Sequence, residues 1–293
     1  MAQTPPYLVG LVGTGVTPSL TPALHMAEAR ALGLDYVYRT IDLTTLGLAP
    51  DELPDILAWA RRLGFDALNV THPCKRLVVE YLDRIDPLAA ALGSVNTVLF
   101  TDDGLVGHNT DTTGFETAFR TGLPGAAVDD VTMLGAGGAG SAVADALLRV
   151  GTRRLTVVDL DAQRAEELAT DLRSRHAADV RSAAPDALPR LLATASGLVH
   201  CTPTGMKEHP GTPFSPDLLR PDLWVADIVY RPLDTELLRA ARAAGCATLD
   251  GGRMAVHQAV DAFRLITGLT PDPDRMNRHF HTLVAPHEIL AGH

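Results

Sequence analysis

The run Gly135-Ala136-Gly137-Gly138-Ala139-Gly140 follows directly on an apolar, strand-like segment, Val131-Thr132-Met133-Leu134. About twenty residues further on, a carboxylate, Asp159, closes a second apolar segment, Arg154-Leu155-Thr156-Val157-Val158. Few local patterns restrict a fold more. The chain must leave the strand by a tight turn, let its backbone come close to a ligand, and then press a helix against the sheet, and each task excludes a Cβ. A helix starting near Gly138 aims its unpaired N–H groups and positive dipole end at the loop, which is a ready site for a pyrophosphate. Strand, glycine run, helix and distant acid together read as a dinucleotide grip. The phosphate loop of nucleotide triphosphatases is excluded, because no Lys-Ser/Thr pair ends the run. The grip sits in mid-chain, so the residues before it belong to a different layer of structure, which must supply the substrate pocket and the catalytic groups.

Asp159 also bears on which dinucleotide is taken. A carboxylate there accepts hydrogen bonds from a free ribose 2′-hydroxyl and repels a 2′-phosphate. At ~4 Å that repulsion is roughly 1 to 4 kcal/mol per charge pair, depending on the effective dielectric. NAD is therefore expected rather than NADP. Leu160 follows the acid, so no arginine stands next to it, although Arg164 lies one helical turn on. Arg164 reads equally as a solvated helix residue and as a contact to the adenosine.

With 293 residues, 46% of them hydrophobic, the chain has material for two domains with substantial cores. Its net charge of −10, without a basic block, argues against a nucleic-acid surface. No apolar stretch has membrane-spanning length and the first residues do not form a signal peptide, so a cytoplasmic location is expected. Cys74, Cys201 and Cys246 are odd in number and widely spaced, which fits neither a disulfide framework nor a zinc pattern. The 11 histidines lack the spacing of metal ligands and read as surface or structural residues, so no metal is expected.

Upstream of the glycine run, segments alternate. Residues 7–12 and 36–38 read as strands and 22–32 as a helix closed by Gly33; 52–63 reads as a second helix stopped by Gly64, and 67–70 as a further strand. Residues 98–107 read as a hairpin about Asp102-Asp103-Gly104. A helix over 112–119 leads into the second domain. After Asp159, strands are expected at 198–200, 224–227 and 247–249, and an amphipathic helix over 254–266. The expected architecture is α/β and two-domain: an N-terminal α/β substrate-binding and catalytic domain (1–111), a Rossmann-like, doubly wound parallel-sheet NAD domain (112–252), and C-terminal helices (253–293) packing back on the first.

Polar clusters fall at the ends of upstream strands, where open α/β sheets bind their ligands. They are Ser19-Leu20-Thr21, Asn69-Val70-Thr71-His72-Pro73-Cys74-Lys75, Ser94-Val95-Asn96-Thr97 and Asn109-Thr110-Asp111. Their hydroxyls, amides, ammonium and carboxylate suit a small polyhydroxylated substrate. Singly, each has a structural reading too: Ser19 and Asp111 as helix caps, Lys75 as a solvated residue at a helix start.

The motifs NVTHPCK, SVNT, GHNTD, GAGGAG and DGGRMAVHQAVDAF stand in the order and spacing of the shikimate/quinate dehydrogenases, which the chain resembles over nearly its whole length. The segment VVDLDAQRAEEL is most similar to the NAD-dependent bacterial quinate/shikimate branch, linked to quinate catabolism; the NADP-dependent biosynthetic enzymes usually carry an Asn-Arg-Thr type sequence there. The resemblance makes Lys75 and Asp111 the catalytic pair and gives Ser19, Thr21, Thr71, Asn96, Tyr230 and Gln258 to the substrate. To the cofactor it gives Gly135, Ala136, Gly137, Gly138, Ala139, Gly140, Asp159, Arg164, the loop 201–206 with Thr202 and Met206, Ile228 and Gly251. Two departures stand out. Gly15 and Pro18 replace the Pro and His that many members carry in the first loop, and Cys74 replaces an aromatic residue.

Oxidising a secondary alcohol needs an acceptor for the hydroxyl proton as hydride leaves for the nicotinamide. Lys75 is the candidate. Asp111 stabilises the charged lysine and so is expected to orient it and the hydroxyl rather than to take the proton. Oxidation of both quinate and shikimate is expected, as Thr21 adds one methyl to the serine common in shikimate-only relatives, worth only ~1 kcal/mol of discrimination. The partners implied are these small molecules, with no nucleic acid and no membrane, for a monomer or homodimer. Two alternatives stay open: a dehydrogenase of an aminoshikimate or aminoquinate, and a non-catalytic NAD- or metabolite-sensing protein on the same fold.

Overall fold

The computed structural model describes residues 6–289. Contacts divide the chain into two compact units. The first comprises 1–110 and 258–283, the second 111–257 and 284–293. The division falls within the continuous helix Gly251–Thr267, at His257/Gln258.

The first unit is built on a six-stranded sheet in the order β2-β1-β3-β5-β6-β4. Its strands are β1 (Tyr7–Gly13), β2 (Tyr36–Asp42), β3 (Ala67–Val70), β4 (Arg84–Ile85), β5 (Thr97–Thr101) and β6 (Gly104–His108). β1 pairs in parallel with β2 and β3, whereas β5 runs antiparallel to β3 and β6. The antiparallel pair β5/β6 is the hairpin that its Asp-Gly turn specifies. Side chains alternate between the two faces. Val9, Leu11, Tyr38 and Ala67 form one cluster, with Ile266 against it, while Val12, Leu68, Val70 and Val98 join Leu53 and Leu57 on the other face. Leu53 and Leu57 come from the helix Leu53–Arg62, whose apolar residues recur at helical spacing.

The second unit carries β7 (Asp130–Leu134), β8 (Arg154–Val158), β9 (Asp179–Ala183), β10 (Gly197–His200), β11 (Trp224–Asp227) and β12 (Thr248–Leu249). All pairings are parallel, in the order β12-β11-β10-β7-β8-β9. That is the doubly wound order in which the chain reverses direction between its first strand, β7, and its fourth, β10. The interior strands are covered on both faces and carry apolar residues on each: Val157 and Val199 enter one core, Val158 and Leu198 the other. The loops leaving β7 and β10 consequently open on the crevice at the switch point, where such sheets hold their ligands.

Among the described residues no helix is long and apolar enough to cross a membrane.

Candidate active site

In the first unit, backbone hydrogen bonds gather four loops at one end of the sheet. Thr71 N donates to Val12 O, Thr14 N to His72 O, Val70 N to Asn96 O, and Asn96 N to His108 O. Lys75, half-buried, is the second residue of the short helix Cys74–Leu77, and its carbonyl accepts from Val95 N at 2.9 Å. Thr71, Lys75 and Asn96 are thereby fixed relative to one another through main chain. Asn96 is buried, and its amide oxygen accepts from Thr97 Oγ1 (3.0 Å) and Thr110 N (3.0 Å). Gln258 joins through Thr110, whose Oγ1 lies 3.4 Å from Gln258 Oε1.

Ser19 and Thr21 enter from the loop after β1. The helix starts at Thr21 with Leu20, not Ser19, as its cap residue, and Ser19 Oγ accepts from Thr21 N at 3.3 Å. Asp42, which the sequence reading passed over, holds this loop from the end of β2. Its carboxylate accepts from Thr17 Oγ1 (2.7 Å), Thr17 N (2.8 Å) and Gly15 N (2.9 Å). Those bonds, the Thr17 hydroxyl first, hold the Asp42 carboxyl down to about 2. Gly15 has φ +66°, a conformation closed to proline. Cys74 is fully buried among Leu53, Val70 and Val78 and is a packing residue.

The second unit supplies the glycine loop. Gly135 has φ +100°, and a Cβ there would lie 2.7 Å from Cys201 O; one on Gly140 would lie 2.2 Å from Gly135 O. Gly135 and Gly140 thus serve the turn and the helix-to-strand packing. A Cβ on Gly137 or Gly138 would meet nothing within 4 Å, and Gly138 opens the helix Gly138–Arg149. This is an open cradle at a helix N-terminus, and it fits a pyrophosphate. Asp159, one residue beyond β8, accepts from Ala136 N (2.7 Å) and Asp161 N (2.9 Å), which places the acid beside the loop. Leu160 is 94% exposed. Arg164 caps back on Asp161, its backbone N–H and guanidinium both reaching that carboxylate, with the side chain 55% exposed.

The loop 201–206, after β10, rests on a buried polar group that the sequence reading did not single out. His200 Nδ1 lies 2.9 Å from Asp227 Oδ1, its Nε2 meets Thr202 Oγ1, and Thr235 Oγ1 donates to Asp227 Oδ2 at 2.7 Å. Ile228 N donates to His200 O, and a Cβ on Gly251 would lie 2.3 Å from Ile228 O, so Thr202, Ile228 and Gly251 belong to one locality. Met206 is paired with His209 in the same loop. Asp111, buried, is the first residue of the helix Asp111–Gly122, and Tyr230 also falls in the second unit. Of the residues that the resemblance gives to the substrate, Ser19, Thr21, Thr71, Lys75, Asn96 and Gln258 fall in the first unit, Asp111 and Tyr230 in the second. Among the described residues no group of three or more His, Cys, Asp or Glu is placed to hold a metal ion.

Residues 11–98 match the model of the shikimate dehydrogenase substrate binding domain. The chain is 56% identical over 290 residues to a shikimate dehydrogenase (NADP(+)) of Pseudarthrobacter chlorophenolicus, covering 99% of each. The chain belongs to the shikimate/quinate dehydrogenase family. A second member, a quinate/shikimate dehydrogenase (NAD(+)) of Corynebacterium efficiens, is 47% identical over 283 residues, covering 94% of this chain and 98% of that one. The solved structure of quinate dehydrogenase from Corynebacterium glutamicum in complex with NAD superposes with a TM-score of 0.90 at 47% identity, over 94% of this chain and 99% of that one. This member of the family is accordingly an α/β oxidoreductase of the shikimate/quinate dehydrogenase type, as its motifs led one to expect. Its relatives bear the names of both nucleotides.

Proposed function

We propose that the protein oxidises quinate and shikimate with NAD as hydride acceptor. The observation that carries the nucleotide choice is the Asp159 carboxylate, held beside the glycine loop by Ala136 N at 2.7 Å, with an exposed leucine next to it. A carboxylate in that position accepts from a ribose 2′-hydroxyl and repels a 2′-phosphate. When bound, the dinucleotide supplies the hydride acceptor. The chain's own residues do the rest. Lys75 takes the proton of the substrate hydroxyl, and Asp111 orients it. Ser19, Thr21, Thr71, Asn96, Tyr230 and Gln258 bind the ring hydroxyls and carboxylate, matching the oxygens of a polyol with hydroxyl and amide partners. Gly137 and Gly138 let the backbone approach the pyrophosphate, and Thr202, Met206, Ile228 and Gly251 belong with them to the dinucleotide site.

A second reading, NADP as acceptor, is favoured by Arg164, an exposed cation one turn into the helix Ala162–Arg175, and by relatives named for NADP(+). Steady-state assays of NAD and NADP against quinate, shikimate and their amino analogues, compared as kcat/KM, separate the two. The proposal expects the highest values for NAD with quinate and with shikimate. Higher values with NADP, or no turnover of quinate, would refute the corresponding part.

A further inference from the structure

The amides of Asn96 and Gln258 are tied to a chain of buried polar side chains that runs back through the first sheet. Tyr38 on β2 lies on the same face as Asn69 on β3, with β1 between them, and its hydroxyl donates to Asn69 Oδ1 at 2.6 Å. Asn69 Nδ2 then donates to Thr97 Oγ1 at 2.9 Å, and Thr97 Oγ1 donates to Asn96 Oδ1 at 3.0 Å. Asn96 Nδ2 donates to Thr110 Oγ1 at 2.9 Å. Tyr38, Asn69, Thr97, Asn96 and Thr110 are all buried.

The chain has one direction. Each hydroxyl carries a single proton, and Thr97 spends its own on Asn96 while accepting from Asn69. Asn96 Oδ1 already accepts from Thr97 Oγ1 and from Thr110 N, which fills its two lone pairs. Thr110 Oγ1 also lies 3.3 Å from Asn96 Oδ1, but with that oxygen already accepting twice, the Thr110 proton goes to Gln258 Oε1 at 3.4 Å. Reversing the amide of Asn96 would set its NH2 against Thr110 N, and reversing that of Asn69 would set its oxygen against Asn96 O, each in a buried site. Tyr38 anchors the sequence as a donor, since burial keeps its phenol protonated.

We propose that Tyr38, Asn69 and Thr97 are positioning residues for substrate: through this one-way chain they hold the oxygens of Asn96 and Gln258 inward, so that both amides present N–H to the oxygens of the ligand. The inference rests on the assignment of Asn96 and Gln258 to the substrate given above. It makes the pocket a donor surface suited to hydroxyl, carbonyl or carboxylate oxygen.

The test is steady-state kinetics on Thr97→Val, Thr97→Ser, Tyr38→Phe and Asn96→Ala, with melting temperature and nucleotide affinity measured for each. Thr97→Val keeps the shape and removes the relay, and should raise the KM for the polyol about tenfold, the equivalent of ~1.4 kcal/mol. Its kcat and nucleotide KM should stay close to parental. Thr97→Ser, which restores the hydroxyl, should restore the KM, which a loss of packing alone would not predict. Tyr38→Phe should act in the same direction. In an Asn96→Ala background, Thr97→Val should add nothing, because the two act in series. If Asn96→Ala raises the KM but Thr97→Val does not, or if the two effects add in full, the relay is overturned. If Asn96→Ala leaves the KM unmoved, the assignment of Asn96 to the substrate fails and the relay fails with it. Should Tyr38→Phe not fold, the Val and Ser variants at 97 still decide.

Discussion

At the scale of single residues, the site depends on groups whose chemistry is set by burial and by what touches them. Lys75 is the proposed proton acceptor, so Lys75→Ala should lower kcat by ~10²–10⁴ while leaving nucleotide affinity unchanged, as read by steady-state turnover and a binding titration. His25 gives a different kind of prediction. Its ring is fully buried against Tyr36, Tyr38 and Phe263, its Nδ1 lies 3.1 Å from Tyr36 Oη, and burial holds its pKa down to about 3. In the unfolded chain a histidine titrates near ~6.5. Between these values the unfolded state binds a proton that the folded state refuses, so stability rises with pH across the window and is complete above it. Acidification from pH 7.5 to 5 should therefore cost stability at up to ~1.4 kcal/mol per pH unit below the unfolded value. Urea unfolding at the two pH values should show a smaller loss in His25→Gln than in the parent; an equal loss would assign the effect to other groups. Asp159 could be singled out from sequence because its role depends on distance along the chain from the glycine run. Asp42 could not, because its partners Gly15 and Thr17 reach it only through the pairing of β1 with β2.

At the scale of elements, the glycine loop divides its labour between folding and binding. Gly140 must be glycine for the backbone to pass Gly135 O, whereas Gly137, at φ −75° with open space around it, needs no glycine for its own conformation. Gly140→Ala should lower the melting temperature and abolish nucleotide binding. Gly137→Ala should melt with the parent and yet bind nucleotide more weakly, because its methyl fills the pyrophosphate cradle; melting curves and fluorescence titration distinguish the two. The strands that sequence showed plainly, β7, β8, β10 and β11, lie inside the sheet with both faces buried, which makes them continuous apolar runs. Two that it did not show, β4 and β9, are edges. β4 has two residues, and β9 buries only Val180 among polar neighbours, so neither carries a hydrophobic period long enough to read.

At the scale of the whole chain, contacts of very long sequence separation close the first unit. Glu28, 1% exposed on the helix Thr21–Ala31, accepts from Arg275 Nε (2.7 Å), Arg275 Nη2 (2.6 Å) and Asp272 N (2.8 Å). Tyr36 stacks on Phe263 with ring centroids 5.6 Å apart. Arg275→Ala strands a buried carboxylate and should lower the melting temperature. Adding Glu28→Gln should recover part of the loss, because it removes the stranded charge; a further drop in the double variant would show that the two do not act as a pair.

What the sequence determined by itself was whatever depends on neighbours along the chain: the glycine turn, the acid at its set distance, the interior strands, the Asp-Gly hairpin and the polar clusters at strand ends. Motif order added the family and the names of Lys75 and Asp111. The tertiary structure alone decided how those residues are held. Tyr38 lies 31 residues from Asn69, Asn69 28 from Thr97, and Thr110 148 from Gln258, so the direction of that chain exists only once the strands lie side by side. A hydrogen bond is specified by where two atoms lie in space, and for these pairs no period or spacing in the sequence records it.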